Sequence, residues 1–340
     1  MRIGITYDLK VDAAPQPGEP DDFQEEFDSP ATIEAIANVL RGLGHEVEKL
    51  GDGRELLGHL LARPPEFVFN FAEGQGISRS REARVPAVLE MLGIPYTGSD
   101  PLTLAVTLDK DCAKRLVQSA GGAIPAGLLA QPCRDGSWLL GADASADFDA
   151  LAAGLPYPVI VKPAWEGSSK GIRQKCLVDR PAELRAVLDS VGRDHRQPVL
   201  VEEFIRGDEL TVGVVGNDPP KIVGIMRVVP TTATDRFIYS LEVKRDYENR
   251  VRYECPSQLS AAATAAVRQA ALMAYRALGC RDVARLDFRL RDGIPYFLEV
   301  NPLPGLNPQT SDLVILARLS GWSYPQLIGA ILQSALDRVA

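Results

Sequence analysis

The stretch Asp282-Val283-Ala284-Arg285-Leu286-Asp287-Phe288-Arg289-Leu290-Arg291-Asp292-Gly293-Ile294-Pro295-Tyr296-Phe297-Leu298-Glu299-Val300-Asn301 decides how this chain is read. Two runs alternate polar with apolar residues on either side of Asp292-Gly293, the pattern of two strands joined by a tight turn. Pairing symmetric about Gly293 sets Asp287 opposite Glu299 and Arg285 opposite Asn301. Side chains of a strand alternate faces, so these four project together. Two directly opposed carboxylates repel. A bound cation relieves that conflict. Carboxylates with an amide oxygen are hard donors of the kind magnesium takes, its shell completed by water and nucleotide phosphates. The competing reading is a solvated edge hairpin on which Arg285 pairs with Asp287. The hairpin alone leaves both open.

Working outward, the chain has 340 residues, enough for two or three domains. It is 46% hydrophobic and 24% charged, the composition of an ordinary globular protein. A net charge of −8 argues against a nucleic-acid partner, so an anionic nucleotide has to find local basic groups. The five cysteines are scattered and odd in number, which suits free thiols in a cytoplasmic protein. His45, His59 and His195 are dispersed, which argues against a histidine metal site and for surface or loop positions. No run of 18 apolar residues marks a membrane span, and no signal peptide is evident.

In chain order, a short strand at residues 3–7 leads into residues 8–28, acidic and Pro-containing, which read as an exposed loop. Ser29-Pro30 opens a helix ending near Gly42 or Gly44. A strand around Val47, a helix capped at Asp52 and a buried strand at residues 67–71 complete a β-α-β-α-β unit, hence a parallel sheet. Ligands of such sheets sit beyond the carboxyl ends of the strands, where residues 72–82 lie. A helical region runs from Asp100-Pro101 through Lys110 to Gly121, and residues 130–154 are weakly patterned. The strand Val159-Ile160-Val161-Lys162-Pro163 enters Glu166-Gly167-Ser168-Ser169-Lys170-Gly171, whose small residues let backbone N–H groups approach a phosphate. This is not a Walker A spacing. Residues 230–254 carry Lys244 and Arg245 and read as a lid loop.

These residues resemble the D-alanine–D-alanine ligase family of ATP-grasp carboxylate–amine ligases. The resemblance runs from about Val85 to the C-terminus. It rests on Leu92-Gly93-Ile94-Pro95-Tyr96-Thr97-Gly98-Ser99, Asp109-Lys110, residues 159–171, Ala284-Arg285-Leu286-Asp287 and Leu298-Glu299-Val300-Asn301-Pro302-Leu303-Pro304-Gly305. It implies an α/β (α+β) ATP-grasp fold: a parallel-sheet N-terminal domain over residues 1–100, then subdomains at 101–200 and 201–340 whose antiparallel sheets grip the nucleotide. The lid falls at about 230–250.

The resemblance also implies ATP and Mg²⁺ as cofactors. Lys110, Lys162 and Ser169 would hold the phosphates or adenine, Glu202, Glu203, Phe204 and Ile205 would line the adenine, and Glu209 would take the ribose. Asp287, Glu299 and Asn301 would bind magnesium. A substrate carboxylate attacks the γ-phosphate to give an acyl phosphate, and an amine then displaces the phosphate. Arg285 and the amide of Gly305 would stabilise the oxyanion, Ser168 would orient the reactants and Lys244 would close over the phosphate. Amino-acid-like substrates and a homodimer complete what the family implies.

The departures fall on substrate-facing segments. Gly4-Ile5-Thr6-Tyr7-Asp8-Leu9-Lys10 does not reproduce the family's Gly-Gly-x-Ser-x-Glu. Residues 73–82, with Glu73, Arg79 and Arg81, replace its His-Gly-x-x-Gly-Glu-Asp-Gly loop, Arg245 stands for the lid tyrosine, and Asn307-Pro308-Gln309-Thr310-Ser311 replaces Thr-Ser-His-Ser. A substrate pair other than two D-alanines is therefore expected. Arginine forks recognise carboxylates, so Arg79, Arg81 and Arg245 predict a substrate with a carboxylate beyond the one consumed. Internal pairing of Arg79 and Arg81 with Glu73 or Glu82 is the competing expectation.

Overall fold

The computed structural model describes residues 1–11, 19–141 and 147–339. Its strands fall into three sheets. The first is parallel, with β1 (Arg2–Tyr7) between β2 (Glu46–Gly51) and β3 (Phe67–Phe71). Ser29 caps the intervening helix Pro30–Gly42 by accepting from the Thr32 N–H at 3.3 Å, with Pro30 fixing the first turn. The second crossover helix, Gly53–Ala62, begins at Asp52, whose side chain makes no cap bond.

The second sheet is antiparallel and built from β4 (Gly127–Pro132), β5 (Trp138–Leu140), β6 (Val159–Pro163), β7 (Leu177–Val178) and β8 (Val199–Glu203), ordered β5-β4-β8-β6-β7. The third holds β9 (Asp208–Val215), β10 (Lys221–Pro230), β11 (Val251–Glu254), β12 (Val283–Arg291) and β13 (Ile294–Asn301), ordered β11-β10-β9-β12-β13. This is the ATP-grasp architecture. Residue 200, where the sequence reading divides the last two subdomains, falls within β8, which is paired on both sides by β4 and β6.

Several segments differ from the sequence reading. The helical region after Asp100 breaks at Asp109, which adopts an extended conformation and caps the second helix by accepting from the Cys112 N–H at 3.1 Å. The break aims Lys110 inward. Residues 130–154 hold the β4–β5 hairpin and the helix Phe148–Ala153, with 142–146 outside the described residues. Residues 230–250 contain two short helices, Leu241–Arg245 and Tyr247–Arg250. His195 is buried at the end of the helix Pro181–His195. Residues 19–28 are not an exposed loop: Asp22 and Glu26 are buried against the second sheet's loop, while 12–18 lie outside the described residues.

On β12 the predicted alternation holds. Leu286, Phe288 and Leu290 pack in a core with the helix Ala261–Ala277, leaving Arg285, Asp287 and Arg289 on the opposite face. Among the described residues no helix is long and apolar enough to cross a membrane.

Candidate active site

The β12–β13 hairpin places Arg285 opposite Asn301 and Asp287 opposite Glu299. The turn itself, with Asp292 at φ 52° and Gly293 at φ 79°, pairs Arg291 with Ile294. Continued without interruption, that register would set Asp287 against Leu298 and turn Glu299 to the other face. A bulge at Leu298, between the Phe288–Phe297 and Asp287–Glu299 pairs, restores the opposed carboxylates.

Burial alone pushes both carboxyls up. It raises the Asp287 carboxyl, with Arg285 opposing and Glu299 adding to the rise. For Glu299 burial is outweighed by Lys110 at 3.2 Å and by Arg285, and the carboxyl stays far below its usual range. Arg285 also bonds Asp287 at 2.9 Å and lies 3.8 Å from Asp312. The buried Nδ2 of Asn301 has no partner among the described residues. Two carboxylates and an amide oxygen fit a hard cation. Among the described residues no group of three or more His, Cys, Asp or Glu is placed to hold a metal ion by itself, so such a cation would depend on phosphate and water for its remaining ligands.

A cleft between the two antiparallel sheets joins most of the expected nucleotide residues. Lys162, Ser169, Glu202, Glu203, Phe204, Ile205 and Glu209 line it, with Lys244, Asp287 and Glu299 at one end. Lys162 pairs with Glu202 at 2.5 Å. Sequence reasoning missed Lys114, which reaches the same Glu202 at 3.0 Å and is pushed down to about 8 by burial. Its position four residues after Lys110, on one helix face, was the available signal. Glu209 pairs with Arg289 at 2.6 Å, and the Arg289 guanidinium sits 5.0 Å from the Phe204 ring centre. Lys244 lies over the Tyr239 ring.

An adjoining pocket is lined by Glu73, Lys110, Ser168, Arg285, Asn301 and Gly305, together with Glu26, Glu82 and Glu166. Gly305 is tight: a side chain there would meet the Ser311 Oγ at 2.8 Å. The Glu73 and Glu82 carboxylates make no hydrogen bond or close ion pair among the described residues. Burial raises both, Glu73 well above its ordinary value and Glu82 to about 8, with neighbouring carboxylates adding to the rise.

The arginines behave otherwise than expected. Arg81 is 1% exposed and donates to Glu26 at 2.7 and 2.8 Å, to Glu166 at 3.2 Å and to the Trp165 carbonyl at 2.7 Å. Its partners are thus neither Glu73 nor Glu82. Arg245 points to the surface, where Asp21 and Glu25 hold it at 2.9 Å, and Arg79 is largely exposed, 3.5 Å from Asp109. None of the three lines either pocket, and their forks are taken by the chain's own acids. Thr310 and Ser311 also lie outside both pockets, Thr310 exposed and Ser311 accepting from the Asn307 N–H.

The loop 167–171 joins the two pockets. Ser168 and Ser169 adopt φ 49° and 60°, a left-handed conformation costing roughly 1–2 kcal/mol per non-glycine residue. Acids absent from the sequence-based site hold it: Glu26 accepts from the Gly167 N–H and Lys170, and Asp22 accepts from the Gly171 N–H at 2.9 Å.

A family model described as D-ala D-ala ligase C-terminus matches residues 138–333. The chain is 34% identical to a D-alanine–D-alanine ligase of Cupriavidus taiwanensis over 88% of its own length and 85% of that protein's. It is 32% identical to an uncharacterized protein of Sinorhizobium fredii over 95% and 91%. Among solved structures, the D-alanine–D-alanine ligase from Bacillus anthracis complexed with ATP superposes with a TM-score of 0.73 at 24% identity, covering 99% of this chain and 98% of that one. The VanG D-Ala:D-Ser ligase from Enterococcus faecalis gives 0.72 at 21%, covering 98% and 99%. These two likenesses concern the fold.

Proposed function

The chain belongs to the D-alanine–D-alanine ligase family, and from that premise we propose that it is an ATP- and magnesium-dependent, ADP-forming carboxylate–amine ligase whose substrate pair is not two D-alanines. The observation carrying the ligase reading is the opposed Asp287–Glu299 pair beside Arg285, where the lysine-lined cleft meets the acidic pocket.

In this reading ATP lies in the cleft with its phosphates toward Lys162, Lys244 and the loop 167–171. Asp287, Glu299 and Asn301 would hold magnesium, which would offset charge on the transferring phosphoryl group. A substrate carboxylate oxygen bonds the γ-phosphorus while the bond to the β-bridging oxygen breaks, giving ADP and an acyl phosphate. The amine nitrogen then bonds the acyl carbon, phosphate leaves, and the amine proton passes to solvent or a nearby carboxylate. Arg285 and the Gly305 N–H are assigned to the oxyanion of the tetrahedral intermediate. Ser168 is assigned to orientation of the reactants. The low dielectric strengthens each of these contacts, and lid closure shields the acyl phosphate from water. A cytoplasmic homodimer completes the proposal.

The pocket supports ammonium-bearing, amino-acid-like substrates, because Glu73 and Glu82 face it without a cation of their own. It offers no free arginine for a further carboxylate. The test is a matrix of carboxylate and amine pairs read by phosphate release, with products identified by mass spectrometry. Phosphate release requiring both partners is the expected result; ATP binding without it would leave a nucleotide-binding relative. The relatives at about a third identity favour a second reading, a D-alanine–D-alanine ligase, and D-alanyl-D-alanine as best product would select it.

A pH effect follows from Glu82. An ammonium ion favours the ionised carboxylate, which the empty pocket suppresses below about pH 8. Cation binding at lower pH must expel a proton, so the KM of the ammonium-bearing substrate should fall as pH rises, by up to about tenfold per unit. Replacing Glu82 with Gln should flatten that slope between about pH 6.5 and about pH 8.5. A wild-type KM flat across this interval would remove Glu82 from substrate binding.

A further inference from the structure

The loop 167–171 uses its N–H groups unevenly. The Gly167 N–H donates to Glu26 and the Gly171 N–H to Asp22. The Lys170 and Ile172 N–H groups turn back on the loop, to the Gly167 and Ser169 carbonyls at 2.9 and 3.0 Å. Those of Ser168 and Ser169 have no acceptor among the described residues. Ser169 lines the nucleotide cleft and Ser168 the adjoining pocket. The two serines are also the loop's consecutive left-handed residues, and such a turn sets successive N–H groups in a concavity suited to an anion.

We propose that Asp22 and Glu26 are positioning residues: by binding the N–H groups at both ends of the loop, they hold those of Ser168 and Ser169 open for the ATP phosphates. This rests on the ligase reading. The two acids come from the N-terminal part of the chain and bind the loop without lining the nucleotide cleft. Each is anchored from behind. Glu26 is fixed by Arg81 and Lys170, and Asp22 lies 3.5 Å from Arg173. Neighbouring Asp21 and Glu25 hold Arg245 of the lid helix, so one short segment ties loop and lid together.

The test compares Asp22→Ala, which removes the acceptor, with Asp22→Asn, which keeps an oxygen for the Gly171 N–H. Affinity is measured by calorimetry for the non-hydrolysable β,γ-methylene ATP analogue with magnesium, and for adenosine, which lacks phosphates. The alanine variant should bind the analogue about tenfold more weakly, as for loss of one hydrogen bond to a charged acceptor. The asparagine variant should stay within about threefold, and adenosine affinity should not move in either. In the wild type, hydrogen exchange should find the Gly167 and Gly171 amides protected without nucleotide, and the Ser168 and Ser169 amides protected only after the analogue is added. Equal losses for both variants, a parallel loss for adenosine, or serine amides already protected without nucleotide would each overturn the proposal. Failure of the wild type to bind the analogue would instead sink the ligase reading on which it rests.

Discussion

Glu299→Gln should lower phosphate release by ~10³-fold or more, equivalent to about 4 kcal/mol of transition-state stabilisation. The substitution keeps the shape of the side chain and removes its charge. In the unliganded protein the change relieves repulsion with Asp287 across the β12–β13 pair but gives up the buried ion pair with Lys110, which outweighs it. Lys110 keeps a second acceptor in the Glu166 carbonyl. Circular dichroism should therefore keep the folded signature, with a lowered unfolding midpoint, while turnover disappears. Near-wild-type turnover at saturating magnesium would show that Glu299 does not hold the metal.

Arg81→Met should destabilise the fold by roughly 3–5 kcal/mol, the range for breaking a buried ion pair and stranding its partner. The methionine fills much of the volume, but Glu26 and Glu166 are left with Lys170 as their shared cation. Although burial works against it, Glu26 is held down to about 2 by Arg81 and Lys170. Its contribution to stability is complete above the ordinary value of 4.5 and is lost as pH falls toward about 2. Without Arg81 the Glu26 carboxyl rises, so acid unfolding should begin at higher pH than in the wild type. Urea titrations at neutral and mildly acidic pH measure both effects. A loss below about 1 kcal/mol, the scale of an exposed pair, would mean that Arg81 is not the anchor its burial implies.

What was legible in the sequence was local. Asp292-Gly293 and the alternation around it gave the hairpin and the facing of Arg285, Asp287, Glu299 and Asn301, because turn chemistry and a period of two act over a few residues. The Leu298 bulge was invisible, since nothing in its side chain marks an extra residue. The correct pairs came from assuming symmetry about Gly293, where the two-residue turn alone would have predicted the neighbouring register. Arg81 and Arg245 were misplaced for a different reason. Their partners lie 55 and more than 200 residues away, and only the packed chain brings those acids to them. Asp22 and Glu26 were hidden by the same distance, in a segment whose acidity reads as solvation. Asp109 shows the opposite case: it reads as a cap, yet the cap also breaks a helix and so aims Lys110.

The contacts of residues 21–26 also fix when the site comes into being as the chain is made. Glu26 meets Gly167 across 141 positions, Asp22 meets Gly171 across 149, and Asp21 meets Arg245 across 224. The first sheet has all its strands once residue 71 has emerged, whereas Asp22 and Glu26 wait for the loop 167–171 and Asp21 waits for residue 245. Closing such long loops is entropically costly until other packing has brought the ends together. Docking of this segment thus depends on packing elsewhere in the chain. A chain that stops before residue 245 has the phosphate loop and both of its acids but lacks the tie from Arg245 to Asp21 and Glu25. Extensions fused near residue 20 should slow this docking more than fusions after residue 339.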